Sequence, residues 1–245
     1  MTLASLAMYP YPHLRSAYDE LWDNVRARLA LDAPALDWDV EHEVAARRPD
    51  LLLGQTCGWP LVKHLTETVR VVGTFDYDVP DAVDGTYCSV LVSSVDDSLP
   101  NVLHRTDLTV AANGVDSLSG WISLQAAAAS HGVTLDQIEW TRSHAVSIEA
   151  LRQGRCHLAA IDAVSWAHLD GAGLMVVGNG PRIPCLPLVT AATSTDALVS
   201  DLRAALRSAV GDQALAAVCR TLKIRGFVER DLVDYKGVSG LVPLA

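Results

Sequence analysis

The residue types with the most chemistry to offer cluster in short stretches: Asn-Gly-Val-Asp-Ser-Leu-Ser-Gly-Trp (113–121), Thr-Arg-Ser-His-Ala (141–145) and Ala-Ala-Ile-Asp-Ala (159–163). In the first, Ser117 and Ser119 stand before an alanine-rich apolar run, so either can cap a helix whose free backbone N–H groups point the same way as the hydroxyls. Such a helix start can bind a small oxyanion without a lysine, although an isolated Ser-x-Ser-Gly is first of all a helix cap. Ser143 and His144 occupy the equivalent strand-end position one unit later. His144 can donate a ring N–H to an anion, and its reference pKa of about 6.5 lets it gain charge on binding one; the same residue also suits a structural hydrogen bond. Asp162 ends an apolar strand, where a carboxylate is costly unless paired. It can accept from a protonated ligand oxygen, an amine or the His144 ring, or cap the helix that follows. Tyr9, Gln55 and Thr56 end other strands and offer hydroxyl and amide groups.

Other chemistries lose support. There is no G-x-S-x-G nucleophile elbow, no Walker loop and no G-x-G-x-x-G, and His-Glu-Val-Ala-Ala-Arg-Arg (42–48) lacks the second histidine of a zinc protease helix. The five cysteines are an odd number at wide spacing and read as small buried hydrophobes, so neither a disulfide framework nor a metal site is expected, and no cofactor is implied. A net charge of −10 with scattered arginines argues against a nucleic-acid partner. No apolar run approaches the roughly 18 to 20 residues of a membrane span. The opening Met-Thr-Leu-Ala-Ser-Leu-Ala-Met has no basic residue before Arg15 and no signal-peptide core. The chain as written therefore reads as cytoplasmic, or as periplasmic or extracellular if a leader has been removed.

The elements that must position these residues follow from periodicity. Residues 3–9 read as a buried strand, 36–40 as a second short strand and 50–56 as a third, with helical segments between them. That β-α-β-α-β alternation predicts a parallel sheet with helices on its faces. Residues 68–78 and 85–94 read as β-rich and 96–107 as irregular. From 108 the pattern restarts: strands near 108–113, 138–144, 157–164 and 174–179 alternate with helices near 119–132, 145–154 and 165–169. The prolines of 180–193 exclude a helix, and 194–210 and 211–224 read as two helices. Half of the chain is hydrophobic, enough for a substantial core. Together these predict an α/β protein of two lobes, 1–88 with 190–245 and 89–189, joined by two extended crossings, with a ligand cleft lined by strand-end loops.

Taken in order, the Ser-x-Ser-Gly helix start, the segment Ser-His-Ala-Val-Ser-Ile-Glu-Ala-Leu-Arg-Gln-Gly and the aspartate of Ala-Ala-Ile-Asp resemble the PhnD-like family of ABC-importer substrate-binding proteins for phosphate, phosphite and phosphonate, over Leu3 to Tyr235. The resemblance implies a type II periplasmic-binding-protein fold: two α/β lobes, each a mixed, mostly parallel sheet flanked by helices, with two hinge crossings. It implies a small anionic ligand, an ABC permease as partner and no catalysis. By position, Ser117, Ser119, His144 and Asp162 are then the residues facing the oxyanion, and Gly120 the one that lets backbone N–H groups approach. This chain departs from the family's usual pattern at Leu118, where a hydroxyl residue is usual, and at Arg142, where a glycine usually precedes Ser-His. The same fold also hosts cytosolic enzymes resembling chorismate dehydratase, in which the carboxylate or histidine would do acid–base work on a carboxylate substrate. A cytosolic ligand sensor is a third reading.

Overall fold

The structure, a computed structural model, describes residues 2–242. Its elements in chain order are β1 (Leu3–Ser5), α1 (Arg15–Arg26), α2 (His42–Ala45), β2 (Leu51–Gln55), α3 (Gly58–His64), β3 (Val69–Tyr77), β4 (Thr86–Ser93), α4 (Leu99–Leu103) and β5 (Val110–Ala112). A π-helical turn (Leu118–Ile122) leads into α5 (Ser123–Ser130), followed by β6 (Ile138–Trp140), α6 (His144–Arg152), β7 (Leu158–Ile161), α7 (Ala163–His168), β8 (Met175–Pro184), β9 (Pro187–Ala191), α8 (Asp196–Val210), α9 (Ala216–Thr221) and β10 (Ile224–Val228).

The chain divides into two compact units. The first comprises the residues up to Asp78, Ala82–Thr86 and Pro184–Lys236; the second comprises Val79–Asp81, Tyr87–Ile183 and the segment from Gly237. Each has one five-stranded sheet, in the order β1-β2-β9-β3-β10 and β6-β5-β7-β4-β8 respectively. This is the mixed α/β architecture of two helix-flanked sheets that the resemblance implies.

In the first unit, Ala17, Tyr18, Leu21, Trp22 and Val25 recur at helical spacing and form the buried face of α1, which packs on α8 and α9. Trp22 satisfies its indole N–H on the Pro34 carbonyl at 2.7 Å, so its large apolar ring is buried without an orphaned donor. The sheet has a single parallel pair, β1 with β2, because β9 returns between β2 and β3 and runs antiparallel to both, as β10 does to β3. The parallel run predicted from β-α-β-α-β alternation fails here partly because the strand expected at 36–40 does not form. Among the described residues, what survives of it is a backbone bond from Asp37 N–H to the Ala4 carbonyl at 2.8 Å. The Asp37 carboxylate accepts from the N–H groups of Asp39 and Val40 and turns the chain away. The strand expected over 3–9 likewise ends at Ser5.

The second unit fits its pattern more closely. Along β5 and β7, Val110, Ala112, Leu158 and Ala160 enter one core with Trp121 and Leu124, while Ala111, Ala159 and Ile161 enter another with Ile148 and Leu151. Both faces of these strands are therefore covered, as a parallel sheet requires, and β5 runs parallel to both β6 and β7. Two further segments differ from expectation. The stretch read as irregular contains α4, whose Pro100 lies at the first positions of the helix, where its missing N–H costs nothing. The helix expected through 224 stops at Thr221; Lys223 takes φ +57°, and the alternating Ile224–Val228 becomes β10.

Candidate functional site

The parallel strands of the second unit deliver the sequence-predicted residues to their carboxyl ends, where open α/β sheets place ligands. After β5, Ser117 takes an extended backbone (φ −80°, ψ 116°) and its Oγ accepts from Gly120 N–H at 3.0 Å. The helix start is π rather than α: Ile122 N–H bonds five residues back to the Ser117 carbonyl, and Ser123 Oγ donates to the Leu118 carbonyl at 2.8 Å. Glycine at 120 serves a purpose the sequence did not reveal. A Cβ there would overlap the Asn113 side-chain oxygen and lie 2.8 Å from Asn113 Cγ. Gly120 thus makes room for a side chain, while its own N–H is held by Ser117.

After β6, Ser143 is the cap of α6, its Oγ accepting from Val146 N–H at 3.2 Å, and His144 is the first residue of that helix. The two helix starts meet at the imidazole. His144 Nε2 lies 3.2 Å from Ser119 Oγ and 3.4 Å from Asn113 Nδ2. Ser119 is 5% exposed. Asn113 Oδ1 and His144 Nδ1 are buried atoms with no hydrogen bond of good geometry. His144 keeps some surface as a residue, yet protein crowds its ring, and this desolvation pushes its pKa below the ordinary histidine value. The Asp162 carboxylate and the Ala160 carbonyl pull the other way without overcoming it. The resting ring is therefore neutral at pH 7, with a carboxylate in range to support a charge should one be induced.

Asp162 itself is the cap of α7. One oxygen accepts from the N–H groups of Val164 and Ser165 at 2.9 Å each, the other from the Tyr87 hydroxyl at 2.5 Å, and the residue is 2% exposed. Tyr87 went unremarked in the sequence, since nothing local ties it to a residue 75 positions away. Asn113 was hidden inside Asn-Gly, which reads as a turn.

Gln55 and Thr56 are buried at the end of β2, and Gln55 Nε2 contacts the Tyr77 hydroxyl at 3.3 Å. Tyr9 lies edge-on to the Tyr77 ring, with centroids 6.0 Å apart. Gln55 Oε1 and Thr56 Oγ1 have no hydrogen-bond partner, nor has the neighbouring strand's Ser5 Oγ.

Residues 40–235 match the profile of a family described as the periplasmic substrate-binding protein of ABC phosphonate transporters. No curated protein matches the sequence. Solved structures show the same fold at low identity. PhnD1 from Prochlorococcus marinus, in complex with methylphosphonate, is 13% identical with a TM-score of 0.79, covering 98% of this chain and 96% of its own. A binding-protein component of an ABC phosphonate transporter from Pseudomonas aeruginosa is 15% identical (TM-score 0.75, coverage 98% and 84%). A Xanthomonas citri protein bound to ATP is 14% identical (TM-score 0.68, coverage 98% and 94%). Among the described residues, no helix is long and apolar enough to cross a membrane.

Proposed function

Because the chain belongs to the family of periplasmic substrate-binding proteins of ABC phosphonate transporters, we propose that its second unit holds a small oxyanion, a phosphonate or phosphate, at the meeting point of Ser117, Ser119, Ser143 and His144. Members of this family bind and deliver a ligand; they are not enzymes. The observation that carries the reading is the convergence of Ser119 Oγ and His144 Nε2 at 3.2 Å from two successive helix starts, beside the buried Asn113 Oδ1, which has no hydrogen-bond partner. Buried groups left this way cost roughly 1 to 3 kcal/mol each, a cost that a ligand's hydrogen bonds offset.

Neutral donors suit reversible capture. A hydrogen bond from a hydroxyl or ring N–H to a charged oxygen is about twice as strong as one between neutral groups. An oxyanion arriving at His144 favours its protonated form, and Asp162, fixed by the α7 N–H groups and Tyr87, supports that charge. Gly120 keeps Asn113 against the turn. In the first unit the reading extends to Tyr9, Gln55 and Thr56, supported by the unmet buried oxygens of the last two. The same reading puts the protein's work in the periplasm, with an ABC permease as its partner.

The test is a thermal-shift screen with phosphate, methylphosphonate and sulfate. Phosphate or methylphosphonate raises the melting temperature, and the double variant Ser117→Ala/Ser119→Ala abolishes the rise. No shift with any phosphorus or sulfur oxyanion would overturn the assignment, as would turnover of a bound ligand detected by mass spectrometry.

A further inference from the structure

The cations of the second unit are nearly all committed elsewhere. Arg105 pairs with Asp107 at 2.9 Å, Arg152 with Asp170 and Arg155 with Glu139, while Arg182 donates to the Asp81 carbonyl at 2.7 Å. The unit contains no lysine. Among the described residues, Arg142 is the cation of this unit whose guanidinium has neither a hydrogen bond nor an ion pair, and its side chain is exposed.

Its backbone is equally distinctive. Arg142 takes φ +67°, a left-handed conformation that favours glycine and penalises any side chain. It immediately precedes Ser143 and His144. Thr141 N–H bonds the Ala112 carbonyl at 2.9 Å, so the loop bearing Arg142 leaves the sheet next to the loop that begins at Asn113. An uncommitted permanent charge therefore stands, at a conformational cost, within two residues of a cluster made entirely of neutral donors. Strain retained at a site of this kind points from the outlier toward a use.

We propose that Arg142 selects ligands bearing a second anionic group, a carboxylate or a further phosphoryl group, beside the oxyanion held at Ser119 and His144. This rests on the oxyanion reading above and narrows it. Neutral donors saturate one oxyanion. A second negative charge entering a protein of net charge −10 needs a cation close by, and a guanidinium supplies a planar fork that matches carboxylate or phosphoryl oxygens at any physiological pH.

Calorimetric titration of the full chain with phosphonoacetate and methylphosphonate at one fixed ionic strength tests it. Phosphonoacetate is expected to bind tighter by about tenfold or more, the effect of one well-formed charge-assisted contact. Arg142→Gly removes the cation and relieves the left-handed backbone, so misfolding does not confound the result, and the ratio of the two affinities falls to about one. Arg142→Lys, which keeps the charge but not the fork, leaves an intermediate ratio. Equal affinities in the unsubstituted protein, or a preference that survives Arg142→Gly, overturn the selection by Arg142 and leave the oxyanion reading standing. Failure of both ligands to bind the unsubstituted protein overturns the oxyanion reading, and this inference with it.

Discussion

Two helix starts in the second unit, at Ser117 and at Asp162, look alike in sequence and differ in how completely they are satisfied. Asp162 caps α7 with two N–H bonds on one oxygen and the Tyr87 hydroxyl on the other, all out of solvent. Ser117 accepts a single N–H into a π turn, and beside it Ser119, Asn113 and His144 crowd together with Asn113 Oδ1 unmet. Buried polar atoms are ordinarily paired, so the satisfied start reads as a fastening, and the unsatisfied one is where the proposed function puts the oxyanion. On that proposal the difference separates stability from binding within one unit.

Breaking the fastening gives the largest expected effect. Asp162→Ala removes a cap worth roughly 0.5 to 2 kcal/mol and takes the acceptor from a buried tyrosine hydroxyl, about 1 to 3 kcal/mol more, so urea unfolding should report a loss of about 1.5 to 5 kcal/mol. Ser117→Ala should cost only about 1 kcal/mol by the same measurement while weakening phosphonate binding far more than it weakens the fold. Equal stability losses at the two positions would erase the distinction.

Gly120→Ala sharpens the comparison from the other side. The new Cβ overlaps the Asn113 side chain, and overpacking of this kind costs about 1 to 3 kcal/mol. Asn113 must move, and its displacement from His144 should lower methylphosphonate affinity by about tenfold or more, since small misplacements at a binding constellation are amplified. An unchanged dissociation constant in calorimetry would remove Asn113 from the site.

Much of this was legible in the sequence where periodicity and punctuation agreed. The alternation of Val110 to Ala112 and Leu158 to Ile161, with serine, histidine and aspartate at the strand ends, is local information, and so is the capping by Ser117, Ser143 and Asp162. What could not be read depends on distant partners. Leu36–Val40 alternates as a strand does, but the Asp37 carboxylate competes for its backbone, and proline at the start of α4 looks like a breaker unless the helix is already known. The role of Gly120 follows from Asn113 filling its missing side-chain space, and that of Tyr87 from pairing across the sheet to Asp162.

The smallest expected effect concerns pH and again distinguishes the two starts. Burial lowers the pKa of His144 in the folded protein, so below the unfolded value of about 6.5 the unfolded chain takes up a proton more readily than the folded one. The stability that the neutral ring supports is fully present above about pH 6.5 and is lost as pH falls from there toward the lowered folded value. His42, also lowered by burial, contributes in the same direction, so the measurement is the difference between the unsubstituted protein and His144→Gln across pH 5 to 8. That difference should be flat above about pH 6.5 and should shift against the unsubstituted protein below it. Saturating methylphosphonate should shrink the shift, because a bound oxyanion favours the protonated ring and brings the folded pKa back toward the unfolded one. A shift of the same size with and without ligand would mean that His144 does not meet the oxyanion, and the Ser117 start would then be a fastening like the one at Asp162.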